Sequence, residues 1–256
     1  MLSGQNFYQR QTLLAVVHAG AMLLALSPFD FWPLGILAPI ALIGAAAGLY
    51  RAPLARVVSS WLLFAIAATF ITFGWITMTV HRYTGERPIV SFALALAYAF
   101  LFQLKFLVIF VFSRYWNFNM VQDTARLLAA ATLFAIAELL APELFPWSWG
   151  NGVAASGWLR QLAAIGSVYL MSILAVFLAL LTWQLLWTCR GRGLAERLRM
   201  QWPALLLAVS VIIAGGVLYH WPLRAETRKL RTLVVQTNIG AAPEQKRSDH
   251  EFATDA

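Results

Sequence analysis

The sequence predicts an all-α integral membrane protein: a bundle of about seven transmembrane helices, followed by a short β-strand that starts a soluble domain. Three observations carry this expectation. First, 61% of the 256 residues are hydrophobic and only 12% are charged, whereas a soluble domain carries about 25% charged residues. Second, the apolar residues fall in runs long enough, or nearly so, for the ~30 Å hydrocarbon core. Third, tryptophan and tyrosine gather at the ends of those runs, as they do at membrane–water interfaces.

The runs lie at about 11–27, 34–50, 57–80, 89–112, 125–141, 163–187 and 203–220. The first, second and fifth are short, near the ~17-residue lower limit for a span. Proline or polar residues bound them: Pro28 and Pro33, Arg51 and Pro53, Pro142. The aromatic belt is expected to comprise Trp32, Tyr50, Trp116, Trp147, Trp149, Trp187, Trp202 and Trp221. Gly215-Gly216 in the last run fits close helix packing. No internal repeat, and no mirrored pair of broken helices of the transporter kind, is visible.

Beyond the last run, Arg231-Thr-Leu-Val-Val-Gln-Thr-Asn-Ile-Gly240 changes character. β-Branched and apolar residues lead into an Asn and Gly turn signal, the pattern of a strand. The expected division is therefore a helical domain over 1–222, and a linker with the first strand of a further domain over 223–256.

Net charge is +8, but the basic residues cluster in short loops and not in aromatic-interleaved patches, so nucleic acid is not the expected partner. With the N-terminus inside, the inner loops hold nine Lys and Arg (Arg10, Arg51, Arg56, Arg114, Arg126, Arg190, Arg192, Arg197, Arg199) against three outside (Arg82, Arg87, Arg160). The short-loop rule then places the N-terminus in the cytoplasm and the tail outside. No cleavable leader is evident, since Ser27-Pro-Phe-Asp-Phe-Trp-Pro33 follows the first run. Cys189 is the one cysteine; it permits no internal disulfide and reads as a structural thiol. Neither cofactor nor metal ligand set is expected.

Ionisable residues within apolar runs are functional candidates by default. His18, Lys105 and Glu138 are such residues. His18 is expected to be a buried, hydrogen-bonded core residue. Lys105 lies ~10 Å above the inner edge of its run and Glu138 ~20 Å above the same edge, at 1.5 Å per residue. A direct pair is then not expected, and Lys105 should snorkel toward the inner headgroups. Glu138 lies one turn below Ala141-Pro-Glu-Leu-Phe-Pro-Trp-Ser-Trp-Gly150, which reads as a rigid aromatic interfacial loop able to grip a lipid. Glu138 is positioned to accept from backbone amides or to pair with an Arg at that rim. The outer loops bring Asp30, His81, Arg82, Glu86 and Arg87 to the same face, and Arg82 and Arg87 suit a lipid phosphate. The candidate lipid- or substrate-binding residues are thus Glu138, Trp147, Trp149, Arg82, Arg87 and Asp30.

Taken together, four segments resemble the apolipoprotein N-acyltransferase family. They are Ser27-Pro-Phe-Asp-Phe-Trp-Pro33, Gly74-Trp75 with the turn to Pro88, Glu138 with Phe145-Pro-Trp147, and Val234-Val-Gln-Thr-Asn-Ile239. The last resembles the first strand of that family's carbon–nitrogen hydrolase, or nitrilase-like, domain. The resemblance implies a multi-pass protein of the bacterial inner membrane with its tail in the periplasm. It implies transfer of a fatty acyl chain from phospholipid to the amino group of a diacylglyceryl-cysteine on a lipoprotein, through a thioester on a Glu-Lys-Cys triad. It places that triad beyond the first strand, so no catalytic residue is assigned here, and Glu244, Lys246 and Glu251 stand too close to the strand to be carried over. The implied partners are phospholipid, lipoprotein and a separate chain supplying the nitrilase-like domain. Two departures stand out: Ala141 where the family commonly has Arg, and no Trp after Lys246. The alternatives are a non-catalytic lipid- or lipoprotein-binding member of the family and an unrelated small transporter.

Overall fold

The structure is a computed structural model, and it describes residues 4–85, 87–142, 147–188 and 190–220. These residues form helices and connecting turns with no strand among them. The strand expected at 231–240, and with it the whole 223–256 segment, lies outside the described residues, as do Glu86, Cys189 and Trp221.

Eleven α-helices follow in order: α1 (Gly4–Ala25), α2 (Leu34–Ala46), α3 (Leu54–Ala67), α4 (Trp75–Thr84), α5 (Pro88–Phe102), α6 (Leu104–Ser113), α7 (Thr124–Leu140), α8 (Trp149–Val153), α9 (Gly157–Arg160), α10 (Ala163–Trp183) and α11 (Leu194–His220). Local signals explain several boundaries. Pro88 occupies the first turn of α5, where its missing N–H costs nothing. Asp123 caps α7 by accepting from Arg126 N at 2.9 Å. A π-turn, Ala68–Thr72, ends the α3 run before Gly74 opens α4.

Each apolar run folds as helix, but not as seven uniform spans. By length and apolarity, three helical segments among the described residues can cross a membrane: Leu54–Thr72, Ala163–Thr188 and Leu194–His220. A fourth is the pair α5 and α6, taken as one span bent by 43°. Leu34–Leu49 is apolar but short. The run at 57–80 is broken at Phe73–Gly74, and the run at 89–112 at Gln103. The final helix starts at Leu194, nine residues before the expected 203, so Arg197 and Arg199 sit on a helix and not in a loop.

The core is built by α1 against α2, with α10 packed on α2, α7 and α8. Gly35 on α2 meets Gly152 on α8 so closely that a Cβ on Gly35 would stand 2.3 Å from the Gly152 carbonyl oxygen. Only the absence of a side chain permits that approach. Another close seam is between α9 and α11, where a Cβ on Gly215 would lie 2.7 Å from Trp158 O, and one on Gly157 2.9 Å from the Tyr219 ring. Apart from this seam, α11 is largely peripheral, with Gln201, Ala204 and Ala208 its buried residues.

Candidate functional site

The segment Trp147–Trp149 re-enters the bundle after α7. Trp147 is 4% exposed and Trp149 fully buried. Phe73 (ring centroid 5.4 Å from Trp147) and Phe106 (6.2 Å) close on Trp147, while Phe106 (6.3 Å) and Phe134 (5.8 Å) close on Trp149. The two helix breaks therefore lie beside this segment, with Phe73 at one and Lys105 and Phe106 just past the other. The exposure that an interfacial belt requires holds for Trp32, Trp187 and Trp202. It does not hold for Trp147 and Trp149, which point inward.

Two buried ionisable residues pin this segment. Lys105 Nζ donates to Trp147 O at 2.8 Å and lies 3.4 Å from the centroid of the Trp147 ring. Trp149 N donates to Glu138 Oε1 at 2.7 Å. Lys105 is fully buried and Glu138 is 1% exposed. The expectation that Lys105 snorkels toward headgroups is thus corrected. The α5–α6 bend turns its side chain onto the loop after α7. The ~10 Å axial mismatch assumed straight spans, and the re-entrant segment bridges it by coming to both residues. The expectation that Glu138 accepts from a backbone amide at the rim is met. Buried charges are tolerated only where hydrogen bonds replace water, and both make such bonds with one loop, Lys105 as donor and Glu138 as acceptor. Ser172 on α10 adds a third anchor, accepting from Gly150 N at 2.9 Å.

His18 lies under the same segment. It is 1% exposed and its Nδ1 donates to Ala38 O at 2.8 Å. Its ring packs edge-on against Phe106 at 5.4 Å and Trp149 at 6.4 Å. His18 is the buried, hydrogen-bonded residue the sequence suggested, although its position beneath Trp149 had no signal in the sequence.

Asp30 occupies a different place at the same end. It adopts a left-handed φ of 54° and lines an open cleft of about 530 Å³ with Leu26, Ser27, Asn151 and Arg160. Sequence reasoning missed Asn151 and Arg160, because the close approach of Gly35 to Gly152 joins segments distant in the chain and leaves no signal in the sequence. Arg82 in the last turn of α4 and Arg87 at the N-cap of α5 are exposed. Among the described residues no hydrogen bond or ion pair connects them to the Trp147 segment or to Asp30. The candidates therefore fall into three groups: a buried clamp (Lys105, Glu138, Trp147, Trp149), a polar cleft (Asp30 with Arg160) and a separate exposed pair (Arg82, Arg87).

Such a helical bundle, with several apolar helices and a buried charged clamp on one re-entrant loop, defines a multi-pass membrane protein. The family model described as the apolipoprotein N-acyltransferase N-terminal domain matches residues 18–181. Among curated relatives, the apolipoprotein N-acyltransferase of Azotobacter vinelandii is 31% identical over 79% of the chain and 37% of its own length. That of Pseudomonas putida is 30% identical over 78% of the chain and 38% of its own length. Apolipoprotein N-acyltransferase 1 of Leptospira interrogans is 28% identical over 60% of the chain and 27% of its own length. The chain belongs to the apolipoprotein N-acyltransferase family. It spans about a third of the length of these relatives, and the matched part contains both the clamp and the cleft.

Proposed function

We propose that these 256 residues are the membrane-embedded part of an apolipoprotein N-acyltransferase of the bacterial inner membrane. The family match over 18–181, which includes the Lys105–Glu138 clamp, carries this reading. The reaction is transfer of a fatty acyl chain from phospholipid to the amino group of a lipoprotein's diacylglyceryl-cysteine. A thiolate attacks the phospholipid ester carbonyl, its carbon–oxygen bond breaks, and the lysophospholipid leaves. The resulting thioester then passes its acyl group to the lipoprotein amine and regenerates the thiol. A carboxylate serves as base and a lysine stabilises the oxyanion. Those groups belong to the nitrilase-like domain that starts near 231–240. The 256 residues by themselves are therefore inactive, and activity needs that domain from the same or a separate chain.

In this reading the seven helical runs cross the membrane, the short and bent ones included, with the N-terminus cytoplasmic and the segment after α11 periplasmic. Asp30, Arg82 and Arg87 contact lipid or lipoprotein headgroups at the periplasmic end. Glu138, Trp147 and Trp149 shape that surface from beneath. The second reading, a non-catalytic lipid- or lipoprotein-binding member of the family, shares this surface. The transporter alternative loses support, because Lys105 and Glu138 tie down one loop.

Complementation separates the two family readings. Cells depleted of their own enzyme receive the 256 residues alone or together with a nitrilase-like domain, and lipoprotein N-termini are read by mass spectrometry. N-Acylation is expected only with both parts. Acylation by the 256 residues alone would overturn the inactivity, and its absence in both arms would favour the binding protein.

A further inference from the structure

At the end of the bundle opposite the Trp147 segment, α1 and the α2–α3 connection enclose a cleft of about 270 Å³. Three arginines line it: Arg10, Arg51 and Arg56. Arg10 Nη2 donates to Gly44 O at 3.1 Å. The Arg51 guanidinium lies 5.2 Å from the centre of the Tyr50 ring, and that of Arg56 lies 5.0 Å from the centre of the Phe7 ring. Among the described residues none of the three forms an ion pair. Three like charges thus face one small cleft without an ion-pair partner among the described residues, an arrangement that repels itself and attracts an anion.

A second, independent observation is Gln11. It lines the same cleft and is 1% exposed. Its Nε2 donates to Ala45 O at 3.1 Å, which fixes the amide and leaves Oε1 buried with no donor. A buried acceptor without a donor is costly and rare in folded proteins. The backbone at Arg51 is also held in the left-handed region, with φ of 56°, while its N–H donates to Arg114 O at 2.9 Å. Strain of this kind at a non-glycine residue persists only where the surroundings enforce it.

We infer that this cleft binds the headgroup of an anionic phospholipid from the leaflet at the N-terminal end of α1. The phosphate sits among Arg10, Arg51 and Arg56, whose planar forks match its oxygens. Gln11 forms the buried floor beneath the arginines, and Phe7 and Tyr50 supply the apolar wall. The acyl chains lie outside, along the exposed apolar face of the bundle. Free phosphate shares the anionic chemistry but lacks the chains that hold a lipid at this depth.

The test uses the purified 256-residue chain in detergent, equilibrated with equal amounts of phosphatidylglycerol and phosphatidylcholine, washed, and extracted for mass spectrometry of the retained lipid. Phosphatidylglycerol is expected to be retained about fivefold over phosphatidylcholine. The pair Arg10→Gln with Arg56→Gln should abolish that preference. The pair Arg190→Gln with Arg199→Gln, an equal loss of charge elsewhere, should keep it. Gln11→Glu, which sets a carboxylate among the arginines, should also abolish it, and it serves where the double arginine variant does not elute as a folded protein. No preference in the unsubstituted chain, or equal loss in both double variants, would overturn the inference. Displacement of the lipid by millimolar inorganic phosphate would overturn the choice of a lipid headgroup over a free anion.

Discussion

Lys105 and Glu138 hold the two ends of one three-residue segment from two different helices: Lys105 donates to Trp147 O at 2.8 Å, and Glu138 accepts from Trp149 N at 2.7 Å. Both side chains of the clamp are buried. Its members should therefore behave as stability residues before they behave as reactive ones.

Lys105→Met removes the donor to Trp147 O and leaves that buried carbonyl without this partner. Leaving a buried polar group unsatisfied costs about 1–3 kcal/mol, and more where a charged group made the bond. The expected outcome is a large drop in the unfolding midpoint in detergent. A Tm within a degree of the parent would show that the clamp carries no stability.

Glu138→Gln keeps an oxygen that can accept from Trp149 N, whereas Glu138→Ala leaves that buried amide without an acceptor. The Ala variant should lose about 1–3 kcal/mol by that penalty, and the Gln variant distinctly less. Denaturant titration read by tryptophan fluorescence ranks the two; equal losses would mean that the hydrogen bond is not what Glu138 contributes.

Gly35→Ala drives a methyl group toward Gly152 O, to which the ideal Cβ stands at 2.3 Å. Overpacking of this kind costs about 1–3 kcal/mol, occasionally more. Gly20→Ala, where a Cβ meets nothing within 4 Å, is the matched control and should leave the melting midpoint at or slightly above the parent's.

Arg82→Gln and Arg87→Gln act at exposed positions with no ion pair among the described residues. Surface substitutions away from special features stay within about 0.5 kcal/mol, so folding should be unchanged. In the two-part complementation, both are expected to lower N-acylation several-fold. Full acylation by the double variant would remove the pair from the headgroup site.

Much of this architecture was legible from hydrophobic runs, because apolar length is what a bilayer demands of a segment. All seven runs appear as helix. The breaks at Phe73–Gly74 and Gln103 were not legible, since apolar residues continue across both and periodicity does not register a bend. The inward turn of Trp147 and Trp149 was hidden for a related reason: a tryptophan beside proline reads equally well as a belt residue or as a re-entrant core residue. Glu138 was placed from its spacing to that loop. Lys105 was misread because its side chain is taken up by Trp147 O, on a loop 42 residues further along the chain, and not by headgroups. The Arg160 side of the Asp30 cleft depends on a glycine–glycine contact between distant segments, which one sequence cannot reveal.

The seam between α9 and α11 has a consequence for whatever follows His220. Tyr219 packs on Gly157, three residues from Arg160, which lines the cleft with Asp30. The described part of α11 therefore ends near the rim of that cleft. A group attached there by a short flexible tether would meet the cleft at the millimolar effective concentration typical of such tethers. On that arithmetic even weak intrinsic affinity between the two would keep them engaged, and lengthening the connection after His220 would dilute the encounter without changing a single contact.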